Sequence, residues 1–291
     1  MPVLNPANEC QIGTVPLGDA ADVDAAVAAA VSAFPAYSQT RKSERMALLH
    51  SLKKATESRF EDLAQAMRME MGAPITMARE AQADAAIGHL QGFIGALDAL
   101  VERKTFDNGD ILLREPIGVC GLITPWNWPM NQIALKVIPA LATGCCCVLK
   151  PSEHTPISAM IYAEIIDEAG FPPGVFNLVQ GDGPTVGGAL SRHKDVQMVS
   201  FTGSTRAGTA VTRDAAETVK RVTLELGGKS PNLVFTDCDL EAQVHASVAE
   251  CMYNTGQSCD APTRLLVERS CYEAVLEIAK SAAEATEVGD P

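Results

Sequence analysis

The sequence predicts an α/β fold, a parallel sheet covered by helices on both faces. Two observations carry this. From Val119 onward, short apolar runs alternate with helical stretches of ten or more residues, which is how parallel strands are joined by crossover helices. The helical stretches also start and stop on Ser, Thr, Pro and Gly, as helix ends do.

The elements follow in order. Asn5-Pro6-Ala7-Asn8 is a turn. Val23, Val27, Val31 and Phe34 recur at helical spacing, with Asp22 placed to cap. A longer helix is predicted over 43–71, with Phe60, Leu63 and Met67 on one face and Gly72 and Pro74 ending it. A third, over 78–100, is Ala-rich. Residues 105–114 carry the turn signal Asp107-Asn108-Gly109-Asp110 inside a strand-like run, the pattern of an arm or linker. Strands are then expected at 119–123, 145–149, 175–179, 197–201, 221–226, 232–235 and 264–267. Helices fall between them at 130–143, at 204–216, at 240–253, at 272–285 and in a stretch that Thr155 caps, with Pro156 first and Gly170 and Pro172 closing it.

Composition removes several classes of function. The 291 residues are 47% hydrophobic and 20% charged, as in a globular protein with a sizeable core. A formal net charge of −13 disfavours nucleic acid and anionic membranes as partners. The start of the chain has neither a charged nor an apolar leader region, so no signal peptide is expected. The most apolar stretch, 119–149, is interrupted by Pro125, Pro129, Pro139, Asn127, Asn131, Gln132 and Lys136, so no membrane span is expected. Nine cysteines, three of them consecutive at Cys145-Cys146-Cys147, match no metal site or disulfide framework. The expected compartment is the reducing cytoplasm.

Six stretches carry candidate chemistry. In Tyr253-Asn254-Thr255-Gly256-Gln257-Ser258-Cys259, small and polar residues leave a thiol open to substrate, and nearby amides and hydroxyls can stabilise its thiolate. The alternative is a helix-ending loop with an incidental cysteine. In Thr124-Pro125-Trp126-Asn127-Trp128-Pro129, two prolines stiffen a loop around one amide, the donor an oxyanion needs, unless Asn127 only satisfies its own backbone. Lys150 and Glu153, just past a buried strand, suit ribose hydroxyls, and the acid favours NAD over NADP; the alternative is a surface ion pair. In Phe201-Thr202-Gly203-Ser204-Thr205-Arg206-Ala207-Gly208, glycines let backbone approach a pyrophosphate at a helix start. The G-x-G-x-x-G fingerprint is absent. Gly181-Asp182-Gly183 is either a weaker version of this signal or a plain turn. Glu225 lies between apolar neighbours beside Gly227 and Gly228. If buried, its carboxyl would be raised towards the range of a general base; the alternative is pairing with Lys229.

Taken together, these stretches resemble the NAD(P)-dependent aldehyde dehydrogenase superfamily. The matching motifs are Pro125 to Pro129, Lys150-Pro151-Ser152-Glu153, Phe201-Thr202-Gly203-Ser204, Glu225-Leu226-Gly227-Gly228-Lys229 and Asn254 to Cys259, and the resemblance runs essentially from end to end. It implies a Rossmann-like NAD-binding domain and the start of a second α/β, catalytic domain. On this basis 1–104 would be the helical part of the cofactor-binding domain, 105–117 an arm or linker, 118–226 the cofactor-binding core, and 227–291 an incomplete catalytic portion.

The resemblance also implies roles. Cys259 would attack the aldehyde, Asn127 and the Cys259 N–H would hold the thiohemiacetal oxyanion, hydride would pass to NAD, and Glu225 would activate the water that hydrolyses the thioester. Lys150 and Glu153 would hold the adenine ribose and Gly203 and Ser204 the pyrophosphate. Ile123, Thr124, Pro125 and Trp126 would line the cofactor cleft, with Gly181, Ala207 and Leu226 as further cofactor contacts. No metal is implied, and relatives form homo-oligomers. A later Glu-x-Phe-Gly-Pro motif of the family has no counterpart, which keeps open the reading of an impaired form that at most binds NAD. An acyl-CoA-forming or phosphorylating relative is the remaining alternative, and Glu225, placed for water, argues against it.

Overall fold

The computed structural model describes all 291 residues, which form two units, Met1–Glu225 and Leu226–Pro291.

The first unit opens with β1 (Pro2–Leu4) and β2 (Gln11–Thr14), paired antiparallel across the Asn5–Asn8 turn. These strands are too short to show a period in sequence. Helix α1 (Ala20–Tyr37) starts earlier than the apolar spacing suggests. Its N-cap is Asp19, whose carboxylate accepts from Ala21 N at 2.7 Å, and Asp22 is the reciprocal partner, accepting from Asp19 N at 2.9 Å. The single helix expected over 43–71 is two, α2 (Lys42–Ser58) and α3 (Phe60–Met71), broken at Arg59 (φ −107°, ψ 16°). The Arg59 guanidinium leaves this corner to reach Asp62, Glu164 and Glu168. The third helical run starts three residues early with α4 (Ile75–Met77), passes through a π-helical turn at Ala78–Ala83 and continues as α5 (Asp84–Ala99). That wider turn carries Gln82 with no exposed surface. Next, β3 (Arg103–Thr105) and β4 (Ile111–Leu113) form a hairpin apart from the main sheet, with Ile111, Leu112 and Leu113 all exposed.

The main sheet has five strands: β5 (Val119–Ile123), β6 (Cys146–Lys150), β7 (Phe176–Leu178), β8 (Met198–Gly203) and β9 (Arg221–Leu226). Their order is β7-β6-β5-β8-β9, and β5 pairs in parallel with both β6 and β8. Every residue of β5 and β6 is buried, which explains their unbroken apolar runs. The connecting helices are α6 (Pro129–Ala142), α7 (Pro156–Glu168), the short α8 (Gly188–Arg192) and α9 (Thr205–Ala216). Ile133, Ile138 and Leu141 of α6, Tyr162 of α7 and Leu149 of β6 are among the largest fully buried side chains. The chain winds outward from β5 to β6 and β7, then returns to β5's other side with β8. Ligand clefts form at such a reversal, beyond the carboxyl ends of the strands.

The second unit pairs β10 (Pro231–Val234) with β11 (Arg264–Val267) in parallel. Helices α10 (Leu240–Met252) and α11 (Tyr272–Glu284) complete it around a small core of Val234, Val244, Cys271 and Val275. No helix is long and apolar enough to cross a membrane.

Candidate active site

Three loops leave the carboxyl ends of β5, β6 and β8. The loop after β5 begins with Thr124, whose N–H donates to the Lys150 carbonyl at 3.2 Å, and ends with buried Pro129 as the first residue of α6. Between them, Asn127 is half-buried and Trp126 exposed. Two side chains from the preceding helical run hold this segment. Gln82 Nε2 donates to the Asn127 carbonyl at 3.2 Å, and His89 Nε2 lies 2.7 Å from Asn131 Oδ1.

The loop after β6 places Lys150 Nζ 2.9 Å from Glu153 Oε2. Lys150 is only 3% exposed, so this is no surface ion pair. Burial pushes the Glu153 carboxyl up, but its own backbone N–H and the Lys150 ammonium outweigh burial and hold it below the usual carboxylate range. Thr155 stands at the N-cap position of α7, yet its side chain makes no capping bond, contrary to the sequence reading. Glu70 of α3 takes that role. Its carboxylate accepts from Ile157 N at 2.6 Å, from Ser158 N at 3.0 Å and from the Ser158 hydroxyl. Burial drives the Glu70 carboxyl up to about 7, against the pull of these donors.

After β8, Ser204 caps α9 by accepting from Ala207 N at 3.2 Å. Gly203 is needed for a reason internal to the chain: a Cβ there would lie 2.6 Å from the Phe201 ring. Gly181 is likewise forced, because a Cβ would lie 2.3 Å from Val186. It enters a second π-helical turn, Gly183–Gly187, whose first residues are capped by Asp182.

These segments enclose a cavity of about 400 Å³ lined by Ile123, Glu153, Gly183, Pro184, Gly187, Gly188, Phe201, Arg206, Ala207, Ala210, Val211 and Asp214. Of the expected cofactor contacts, Ile123, Glu153 and Ala207 are in its wall; Thr124, Pro125, Trp126, Lys150, Gly181, Gly203 and Ser204 lie in the flanking segments rather than in the wall. Of the Gly183–Gly188 wall, the sequence reading singles out only Gly183, within the weak Gly181-Asp182-Gly183 signal, although four glycines in eight residues signal close backbone approach. The hydroxyls of Thr124 and Thr202, both buried, at the ends of β5 and β8, meet no partner. Each threonine directly follows a residue of the cavity wall, Ile123 or Phe201, and buried hydroxyls without partners fit a polar ligand.

Of the two readings of Glu225, the structure favours the exposed one: Glu225 is exposed on β9, an edge strand whose residues alternate between exposed and half-buried. Its charge nevertheless acts on Lys136, a buried residue of α6 that the sequence reading assigned no chemistry. Lys136 Nζ donates to Ser200 Oγ at 3.0 Å. Burial pushes its ammonium down to about 8, with the Glu225 charge pulling the other way. A lysine in this range can exchange a proton near neutral pH.

In the second unit, Cys259 is exposed. The residues before it are unusual: Asn254 (φ 52°), Thr255 (φ 55°) and Gly256 (φ 74°) are successively left-handed. Thr in this region is strained, and such strain gathers at functional segments. The Cys259 carbonyl accepts from Gly228 N at 3.2 Å, which ties the Gly227-Gly228 turn to the cysteine segment. Leu226, the last residue of β9, is half-buried.

A sheet wound in this order, with a ligand-sized cleft at its reversal, defines a Rossmann-like α/β protein. The family model described as "Aldehyde dehydrogenase family" matches residues 1–291. The chain belongs to the aldehyde dehydrogenase family. It is 52% identical to the 3-succinoylsemialdehyde-pyridine dehydrogenase of a Pseudomonas species, over 99% of this chain and 61% of that protein. The crystal structure of an aldehyde dehydrogenase from Bartonella henselae superposes with a TM-score of 0.97 at 48% identity, over 100% of this chain and 61% of that one. A mutant of aldehyde dehydrogenase C from Pseudomonas syringae, complexed with NAD+ and octanal, gives 0.98 at 48% identity, over 100% of this chain and 60% of that one. The chain thus spans about three-fifths of the length of these relatives.

Proposed function

We propose that the chain carries the dinucleotide seat and the nucleophile of an enzyme that oxidises an aldehyde to a carboxylic acid with NAD. The supporting observation is the cleft beyond β5, β6 and β8, with a glycine-rich wall that includes Glu153, the buried Lys150 paired to it, and unpartnered hydroxyls on the residues after Ile123 and Phe201. These groups fit a dinucleotide: Glu153 suits a ribose 2′-hydroxyl, and the start of α9 at Ser204 suits phosphate. Bound NAD supplies the hydride acceptor.

The chain's own groups do the rest. The Cys259 thiolate attacks the aldehyde carbon. The oxyanion of the thiohemiacetal accepts from the Asn127 amide and the Cys259 N–H. After oxidation to the thioester, Glu225 takes a proton from the attacking water and the acid leaves. Lys136 beside Glu225 is a route for that proton to move on. Assembly as a homo-oligomer in the cytoplasm accompanies this reading.

The test is NADH formation with a panel of aldehydes, on the chain itself and on a fusion that appends the C-terminal part of the Pseudomonas relative. Aldehyde-dependent NADH with release of the acid is expected from the fusion; none with any aldehyde would remove the proposal. A second reading, in which these residues by themselves bind NAD without turnover, is favoured by the three-fifths coverage. Calorimetric heat with NAD but no NADH from the unfused chain would select it.

The cofactor preference has its own test. Glu153→Ala is expected to weaken NAD binding about tenfold while leaving NADP within about threefold, because only the 2′-hydroxyl loses an acceptor. Titration calorimetry of both nucleotides decides; equal losses for the two would assign Glu153 another role.

A further inference from the structure

The mechanism leaves one buried carboxylate unused. Glu70 is 3% exposed, sits near the end of α3, and sends both oxygens to the first turn of α7, more than eighty residues away in sequence. A helix that begins with proline has its first free amides at the second and third positions. In α7 these are Ile157 and Ser158, and Glu70 takes both. A carboxylate here also meets the positive end of the helix dipole. At the other end of the same helix pair, Arg59 just before α3 reaches Glu164 and Glu168 near the end of α7. The two helices are therefore clamped antiparallel, with one wet fastening and one dry one.

The dry fastening lies next to the cofactor loop. Only Pro151 to Thr155 separate Lys150 from α7. Within that short loop, Thr155 N donates to Ser152 O at 3.2 Å and His154 N to Ser152 Oγ at 3.2 Å. Gln180 Nε2 adds a bond to the Pro156 carbonyl at 3.3 Å. A loop this short and this bonded has little slack, so where α7 starts decides where Glu153 stands. Thr155 does not fix that start, since its side chain makes no capping bond.

We propose that Glu70 is a positioning residue for the cofactor: by capping α7 from α3, it holds the Lys150–Glu153 pair in the geometry that receives the adenine ribose. The inference rests on the NAD reading above. It places a determinant of nucleotide affinity outside the cleft, on a helix with no part in lining it.

Two measurements on the 291-residue chain test it, with circular dichroism confirming that each variant is folded. The first needs no nucleotide. In Glu70→Gln, which keeps one acceptor oxygen but turns the other into an NH2 facing a backbone N–H, amide hydrogen exchange over 152–158 should rise about tenfold while α6 and β8 stay as in the parent. The milder Ser158→Ala, which removes one of the three donors, should give a smaller rise confined to the same segment. The second is NAD titration. Glu70→Gln should raise the Kd about tenfold in the parent, yet less than twofold when Glu153 is already alanine, because the effect passes through Glu153. Unchanged exchange over 152–158 in both folded variants would overturn the clamp. Equal Kd changes in the two backgrounds would overturn its link to Glu153. Absence of NAD binding by the unsubstituted chain would overturn the cofactor reading itself, and it shows before any substitution is made.

Discussion

Cys259→Ala is expected to abolish aldehyde-dependent NADH formation in the fused enzyme, lowering the initial rate by at least about 10⁴-fold, because in the proposed mechanism no other group supplies the nucleophile. The Kd for NAD should stay within about twofold of the parent, since the cleft proposed to hold the dinucleotide is lined entirely by the Met1–Glu225 unit. Cys259 is exposed, so losing its sulfur opens no cavity and the fold should be unaffected. Measuring rate and Kd on the same preparation separates a chemical loss from a structural one. A variant that keeps more than about a hundredth of the parent rate would take the nucleophile's role from Cys259 and return its segment to an ordinary turn.

Glu225→Gln should divide the reaction in time. The substitution keeps size and leaves an exposed edge-strand position undisturbed. In the proposed mechanism, acylation of Cys259 and hydride transfer would not need the carboxylate, and hydrolysis of the thioester would. Rapid mixing should therefore yield one equivalent of NADH per active chain, followed by a steady rate lower by about 10²- to 10³-fold. Intact mass should find the acyl group on Cys259 during that slow phase. A steady rate equal to the parent's would exclude Glu225 as the base, and a missing first equivalent would move it to the acylation step.

Much of the architecture was legible because burial writes a clear pattern. The fully buried β5 and β6 appear in sequence as apolar runs, and glycine and proline mark the helices that separate them. What was not legible depended on partners distant in sequence. The break at Arg59 has no glycine or proline, and its guanidinium reaches carboxylates of α7. The cap of α7 looked local, at Thr155, and comes from Glu70. The motif loops could be placed after their strands, since the order of elements determines that. The wall at Gly183–Gly188 shows in sequence only as a cluster of glycines, because a π-helical turn has no spacing of its own. Whether Glu225 is buried is open in the sequence, where apolar neighbours fit a core strand and an edge strand alike; alternation on β9 puts those neighbours on the opposite face and the carboxylate in solvent.

The winding order has a consequence for how such a protein can diverge. Because β6 and β8 leave β5 on opposite sides, the crossovers above the sheet part company there, and the recess between them comes from chain path rather than from any particular side chain. On the NAD reading, substitutions along its rim can retune which nucleotide is preferred without having to invent the hollow again. The architecture therefore tolerates experiment at its margins, while the buried middle strands, which set the path, have little freedom to drift.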